Sequence, residues 1–283
     1  MGSHPSSEAL QSSIATAQLC LNSAINDSGH AAPCSRADLL SRFDGVFSEA
    51  SAIERHDLEQ AFRLRYQVYC LDRGFEDAST CPEQMERDSY DAYAFHTLLR
   101  NRTNQQVLGT VRLVRPGASP SWVMRLPLAE YADIDSIDEL KHLPAGSTAE
   151  VSRFAIARSA RNSLNCLADA VSTAAEEADP NWRQRLLPYM SLGLIRGLVR
   201  MSREHDITHW CLAAEPSLLR RLRSFGLYFK DAGPLVEHRG MRQICYANLE
   251  RLLERAEAEQ PECWEIMTDR GELATVGAAR NAA

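Results

Sequence analysis

The chain has 283 residues, room for one large domain or two small ones. Hydrophobic residues at 45% and charged residues at 24% describe an ordinary folded protein and argue against a disordered one. The formal net charge of -7 argues against a general nucleic-acid binder, which carries a basic surplus. No apolar run approaches the ~20 residues that span a membrane, so no integral membrane segment is expected. The N-terminus lacks a charged start followed by an apolar stretch, so no signal peptide is read there. The eight cysteines include no C-x-x-C pair, and Cys211 and Cys245 fall in apolar segments, where a thiol acts as a small hydrophobe. Reduced thiols and a cytoplasmic location are expected. The histidines show no metal-ligand spacing, so no metal site is expected.

In chain order, residues 1–38 are Ser-, Ala- and Asn-rich and read as a mobile tail, with a short helix around Ala9 to Cys20. Phe43 to Ile53 supplies a first strand. Asp57 to Val68 has helical spacing through Leu58, Ala61, Phe62, Arg65 and Val68. Asp72 to Glu83 is a loop with Gly74 and Pro82. Phe95 to Arg100 and Val107 to Val114 form a hairpin about the polar turn 101–106. Pro116 to Pro144 is irregular, with Leu126, Leu128 and Tyr131 as apolar pegs. Thr148 to Ala157 is a strand. Helices follow at Ala168 to Glu177 and at Arg183 to Arg203, where Pro188 marks a kink or a start near Arg185. His209 to Ala214 is a strand, Pro216 to Ser224 a short helix, and Gly226 to Phe229 and Met241 to Ala247 are strands. Leu249 to Glu259 is a terminal helix, and the tail after Arg270 is frayed. The expected division is a tail (1–38), a main domain (39–260) and a partly disordered extension (261–283). This order gives an α/β (α+β) fold, a mixed, mostly antiparallel central sheet with helices on both faces.

Arginines and carboxylates are concentrated in segments that otherwise read as core. Arg112 sits between apolar pairs in Val107-Leu108-Gly109-Thr110-Val111-Arg112-Leu113-Val114. It can hardly avoid partial burial, and Arg153 in Glu150-Val151-Ser152-Arg153-Phe154 is placed alike. A buried guanidinium needs carboxylate partners or a bound anion. Glu86, Asp88, Asp91 and Glu150 are the available partners. The result is either a structural clasp or an active site.

The motifs Arg65-x-x-Val68-Tyr69, Met85-Glu86-x-Asp88-x-Tyr90-Asp91, Gly109-x-x-Arg112-Leu113 and Glu150-x-Ser152-Arg153-Phe154 resemble those of acyl-homoserine-lactone (autoinducer) synthases. The chain is similar also to their relatives, the PEP-CTERM/exosortase-system-associated acyltransferases and the N-acyl amino acid synthases. Tyr66-Gln67-Val68-Tyr69-Cys70, Gly74-Phe75-Glu76, Glu215 to Arg221 and Gly240-Met241-Arg242-Gln243 carry the exosortase-associated part of the likeness. It covers residues 45 to 250. The resemblance implies the GCN5-related N-acetyltransferase (GNAT) fold and acyl transfer from acyl-carrier protein to an amine. It implies no permanently bound cofactor, the donor being the acyl-phosphopantetheine of the carrier protein. It places Arg65, Glu86, Asp88, Asp91, Arg112, Glu150 and Arg153 around the cleft. Two departures stand out. Phe75 occupies the place of a tryptophan of the lactone synthases, and Arg158 to Asn165 lacks the glycine-rich pyrophosphate loop of acetyl-CoA users.

Acyl transfer to an amine needs a base for the ammonium proton, an oxyanion stabiliser and a proton for the leaving thiolate. Glu150 is the first candidate base, and an ion-pair partner of Arg112 or Arg65 otherwise. Glu86, Asp88 and Arg112 complete the expected catalytic set; Arg65, Asp91, Arg153, Phe154, Phe75 and Tyr228 are expected to bind substrate. In a regular strand Glu150 and Arg153 point to opposite faces, so a bulge must intervene if both face the cleft. Asp88 and Asp91 either order a loop over substrate or tie it down permanently. Backbone N–H groups near Ala155 to Ala157 could stabilise the oxyanion, and Tyr228 could protonate the thiolate. Arg196 and Arg200, with Arg220 and Arg221, are read as docks for the acidic carrier protein, or as solvated helix faces. The expected function is N-acyl transfer from acyl-carrier protein to an amino acid or similar small amine. The alternatives are a lactone synthase using S-adenosylmethionine and a non-catalytic acyl-binding or regulatory module.

Overall fold

A computed structural model describes residues 36–81, 83–115, 122–133, 136–160 and 186–274. The expected helices at Ala9 to Cys20 and Ala168 to Glu177, Pro82, the stretches 116–121 and 161–165, and the last nine residues lie outside the described part. Chain contacts divide the molecule into two units, Met1–Asp38 and Leu39–Ala283. The second contains the sheet.

Helix α1 (Arg36–Val46) runs directly into strand β1 (Phe47–Ser51). The expected strand from Phe43 is thus corrected. Phe43, Val46 and Phe47 follow helical spacing into the core, and the two phenyl rings meet at 5.0 Å. Helix α2 (Arg55–Tyr66) continues into a wide π-helical turn, Gln67–Asp72. Strands β2 (Ala94–Asn101) and β3 (Val107–Val114) form the expected hairpin, whose turn is fixed by the Asn101 side chain accepting the Thr103 N–H at 2.9 Å. Strand β4 (Thr148–Ile156), helix α3 (Met190–Glu204), strand β5 (His209–Ala214) and helix α4 (Pro216–Ser224) follow. Strands β6 (Lys230–Glu237) and β7 (Met241–Asn248) precede helices α5 (Leu249–Glu259) and α6 (Pro261–Thr268).

The expected strand Gly226 to Phe229 is a loop. Gly226 adopts φ +81° against helix α5, where an added Cβ would lie 2.8 Å from Ala256 Cα. The strand comes after it as β6, an edge strand exposed along most of its length and interrupted at Gly233 and Pro234, so it shows no apolar alternation.

Among the described residues, seven strands run in the order β1-β2-β3-β4-β5-β7-β6. All neighbours are antiparallel except β4 and β5. Side-chain alternation separates two faces. Val111, Leu113, Ala149, Val151, Trp210 and Leu212 enter the main core, with α3, α5 and α6. The opposite face carries α2 and a second core around Leu126, Leu128, Ile137 and Leu140, which absorbs the expected apolar pegs. Helix α3 is buried nearly all round. Gly193 and Gly197 let it press on β2, since a Cβ at 197 would lie 2.3 Å from Thr97 Oγ1. Helix α6, which the sequence reading left without structure, buries Cys263, Ile266 and Met267 against this core.

Candidate active site

Strands β4 and β5 pair only over Thr148–Glu150 with His209–Cys211. Past Glu150 they part, and a cavity of about 600 Å³ fills the gap. It reaches both faces of the sheet. On the α3 side its walls are apolar, from Ile195, Leu198, Trp210, Leu212, Leu222 and Phe229. On the other side they are polar, from Glu150, Ser152, Arg153, Asp88, Glu130 and Tyr131.

Strand β4 carries a bulge, the condition under which Glu150 and Arg153 can share a face. Arg112 stands opposite Ser152, but Thr110 stands opposite Ala155, so β4 holds one residue more than β3. Arg153 takes φ +52°, a left-handed conformation costing a non-glycine residue about 1–3 kcal/mol. Ser152 shares the Glu150 face by ordinary alternation; the bulge turns Arg153 to that face as well and sends Phe154 to the main core, where it too lines the cavity.

Arg153 is held in that conformation by carboxylates. Its Nη2 donates to Glu86 at 2.9 Å and Asp88 at 3.1 Å, and lies 3.5 Å from Glu76. Arg65 is fully buried and donates to Glu86 at 2.5 Å and to both Asp91 oxygens at 2.8 and 3.1 Å. Arg112, also fully buried, donates to Asp88 at 2.6 Å, Asp91 at 2.7 Å and Ser152 at 3.0 Å. Three guanidinium groups thus alternate with three carboxylates. Mutual pairing offsets desolvation that would be prohibitive for any one of them. Local structure fixes the acids: Asp88 caps the turn Ser89–Tyr93, and the Asp91 side chain accepts the Asp88 N–H at 2.8 Å. Burial pushes the Asp91 and Glu86 carboxyls up, but their arginines outweigh it and hold both below the usual range.

Glu86, Asp88 and Asp91 have oxygens committed to guanidinium groups. Arg112 lies behind the cavity wall, not in it. The network has the form of a clasp, and Asp88 and Asp91 tie the loop down.

Glu150 differs. It is buried, and neither Arg112 nor Arg65 pairs with it; its Oε2 accepts the Leu128 N–H at 2.9 Å. Burial raises its pKa to about 8, only partly offset by that N–H and the more distant Arg112 and Arg153. A carboxyl titrating near neutrality at the vertex of the open sheet can accept a proton.

Phe75 lines the cavity, stacked on Tyr69 at 6.4 Å, with the Arg73 and Arg242 guanidinium groups 5.5 and 5.7 Å from its ring centre. Glu76 beside it pairs with Arg239 at 2.7 Å. Tyr228 stands outside the cavity with the Arg255 guanidinium 3.4 Å over its ring, which corrects its assignment as a proton donor to the thiolate. Ala157 N–H is already donated to Leu108 O at 2.8 Å and cannot serve an oxyanion.

Two docking arginines are corrected as well. Arg196 is buried, bonded to Asp44 at 2.9 Å and within 3.6 Å of Asp269. Arg200 pairs with Glu49 at 2.7 Å. Both clamp α3 to its neighbours. Arg220 is exposed on α4 and Arg221 half-buried beside it.

The sequence reading missed Tyr131 and His238, whose rings stack 3.9 Å apart in the cavity wall, and Trp210 on its apolar side. Tyr131 was legible only as an apolar peg. Nothing local marks His238, which arrives from the β6–β7 turn.

Residues 64–168 match the family model described as an acetyltransferase (GNAT) domain. No curated protein matches the sequence. Among solved structures, TofI in a ternary complex with an inhibitor and MTA is 19% identical, with a TM-score of 0.50 over 77% of this chain and 98% of that one. BjaI, a CoA-dependent acyl-homoserine lactone synthase with SAM and isopentyl-CoA, is 19% identical, with a TM-score of 0.50 over 82% of this chain and 91% of that one. FeeM, an N-acyl amino acid synthase from uncultured soil microbes, is 15% identical, with a TM-score of 0.42 over 74% of this chain and 93% of that one. The splayed, mostly antiparallel sheet is GNAT-like. Among the described residues no helix is long and apolar enough to cross a membrane.

Proposed function

We propose that this chain, an acyltransferase of the GNAT type, moves a fatty acyl group from the thioester of acyl-carrier protein to the amine of an amino acid or similar small amine. One observation carries the reading: a single cavity passes through the sheet beside Glu150, apolar on one face and polar on the other. The acyl chain takes the apolar side and the amine the polar side, so the thioester carbonyl sits between the strands.

Glu150 removes a proton from the ammonium, directly or through water. The free amine attacks the thioester carbon, the tetrahedral intermediate collapses, and the phosphopantetheine thiolate leaves and takes up a proton. The ion network holds β3, β4 and the loop before β2 in register around this point. A preorganised site of this kind lowers the barrier without moving during the reaction.

Helix α4 supports a carrier-protein donor. Arg220 and Arg223 are exposed, and Arg221 lies between them in sequence. Carrier proteins are acidic, and complementary charge speeds encounter. The motif likeness to exosortase-associated acyltransferases supports a place in that group, with no resident cofactor and a cytoplasmic site of action.

The test is mass spectrometry of lipid extracts from cells making the protein, against cells making Glu150→Gln. N-acyl amines present with the first and absent with the second are expected. Acyl-homoserine lactones in their place would establish the lactone-synthase alternative, and no acylated product in either would leave the acyl-binding module.

A further inference from the structure

Trp210 is the innermost residue of β5 to line the cavity. It stands opposite Ala149, within the short stretch where β4 and β5 are still paired. Leu212 and Ala214, on the same face, line the cavity farther out, where the strands have parted. The indole is 2% exposed, and its Nε1–H donates to Ser202 Oγ at 2.9 Å. Ser202 is itself fully buried on α3, one turn beyond Leu198, which lines the cavity with Ile195. The indole therefore bridges strand to helix on the apolar side, beside the point where β4 and β5 are still joined. A tryptophan N–H buried without a partner is costly, so the hydroxyl holds the ring in one orientation.

We infer that Trp210 is the floor of the acyl site and sets the longest chain the enzyme accepts, with Ser202 as its positioning residue. This rests on the acyltransferase reading above. A methylene gains affinity by leaving water for an apolar wall, about fourfold each. Affinity should climb at that rate until the chain end meets the indole. Past that point an added methylene has no space, and displacing a core tryptophan is unfavourable.

The experiment is binding of the even-numbered saturated fatty acids to the full chain, by displacement of a fluorescent fatty acid. It is run on the wild type, Trp210→Ala, Trp210→Phe and Ser202→Ala, each checked by thermal melt. The wild type is expected to show a rise followed by a sharp break. Trp210→Ala moves the break to chains at least about two carbons longer. Trp210→Phe, which keeps the core filled should the alanine variant not fold, moves it less in the same direction. Ser202→Ala blunts the break by freeing the ring. A break at the same length in a folded Trp210→Phe or Trp210→Ala overturns the floor. No binding of any fatty acid by the wild type would sink the acyltransferase reading itself, a result distinct from binding with an unmoved break.

Discussion

Ser152 stands opposite Arg112 in the β3–β4 ladder, and its hydroxyl accepts the Arg112 Nε–H at 3.0 Å. The same guanidinium holds Asp88 and Asp91, so one arginine joins two strands to the loop that walls the cavity. Arg112→Ala should lower stability by about 3–5 kcal/mol, because it strands buried carboxylates. Arg112→Lys should recover little, since one ammonium cannot reproduce the fork. Chemical denaturation measures both. A midpoint equal to wild type would show that the network is dispensable to the fold.

With Glu150 as the base, the proposed activity has a pH dependence of definite sign. Its pKa is raised to about 8 by burial, so it is mostly protonated at pH 7 and ionises as pH rises. The rate with saturating donor should climb through pH 7–8.5, and Glu150→Gln should be slow and flat over that range. Stability moves the other way. Between the ordinary carboxyl value and about 8 the unfolded chain has lost this proton and the folded chain has kept it, so stability falls as pH rises. Glu150→Gln should lose less stability than wild type from pH 5 to 8. Parallel denaturation curves for the two proteins would contradict the raised pKa.

The arginines of α4 and α3 should behave in different ways. Reversing Arg220 and Arg221 to Glu should raise the apparent KM for acyl-carrier protein with little change in kcat, and rates should fall as salt rises. Reversing Arg196 should instead unfold or aggregate the protein, because it would bring Asp44 and Asp269 against a third acid in a buried place. Steady-state kinetics with purified carrier protein and a thermal melt separate the cases. A KM that ignores both the α4 reversal and salt would remove the docking surface and leave the chemistry untouched.

Gly197→Ala tests how closely α3 approaches the sheet. The new methyl group would sit 2.3 Å from Thr97 Oγ1 and 2.4 Å from its Cγ2. Overpacking of this kind costs about 1–3 kcal/mol. Thr97→Ala in the same molecule should return part of the loss. A single variant as stable as wild type would mean the helix can shift away freely.

The parts legible in the sequence were those written in local pattern. The apolar pairs flanking Arg112 pointed to at least partial burial, and period-two alternation made a bulge the condition for Glu150 and Arg153 to share a face. Long-range pairing was not legible. Arg196 and Arg200 read as surface charge because their partners, Asp44, Glu49 and Asp269, lie far away in the chain. Helix α6 was missed because eight residues opened by Pro261 leave little room for periodicity. Strand β6 was missed because an exposed edge has no apolar face to repeat. The different surroundings of the acids were equally hidden: Glu86 and Glu150 are the same residue type, and only their neighbours make one an ion-pair partner and leave the other with a raised pKa.

The alternating clasp has an electrical consequence. Arg65, Arg112 and Arg153 balance Glu86, Asp88 and Asp91, so the frame as a whole contributes almost no net charge to the cavity. With the clasp neutral, the proton on Glu150 changes the charge of the polar side, which Glu130 also lines. An ammonium entering the polar side favours the ionised carboxylate, and by reciprocity the ionised carboxylate favours the ammonium. In the proposed reaction the acceptor thus helps to create the base that deprotonates it, while an uncharged molecule of the same size meets Glu150 in its protonated form. In that reading the ionisation state of one buried residue contributes to discrimination between amines and their neutral mimics, and this contribution should fade as pH falls.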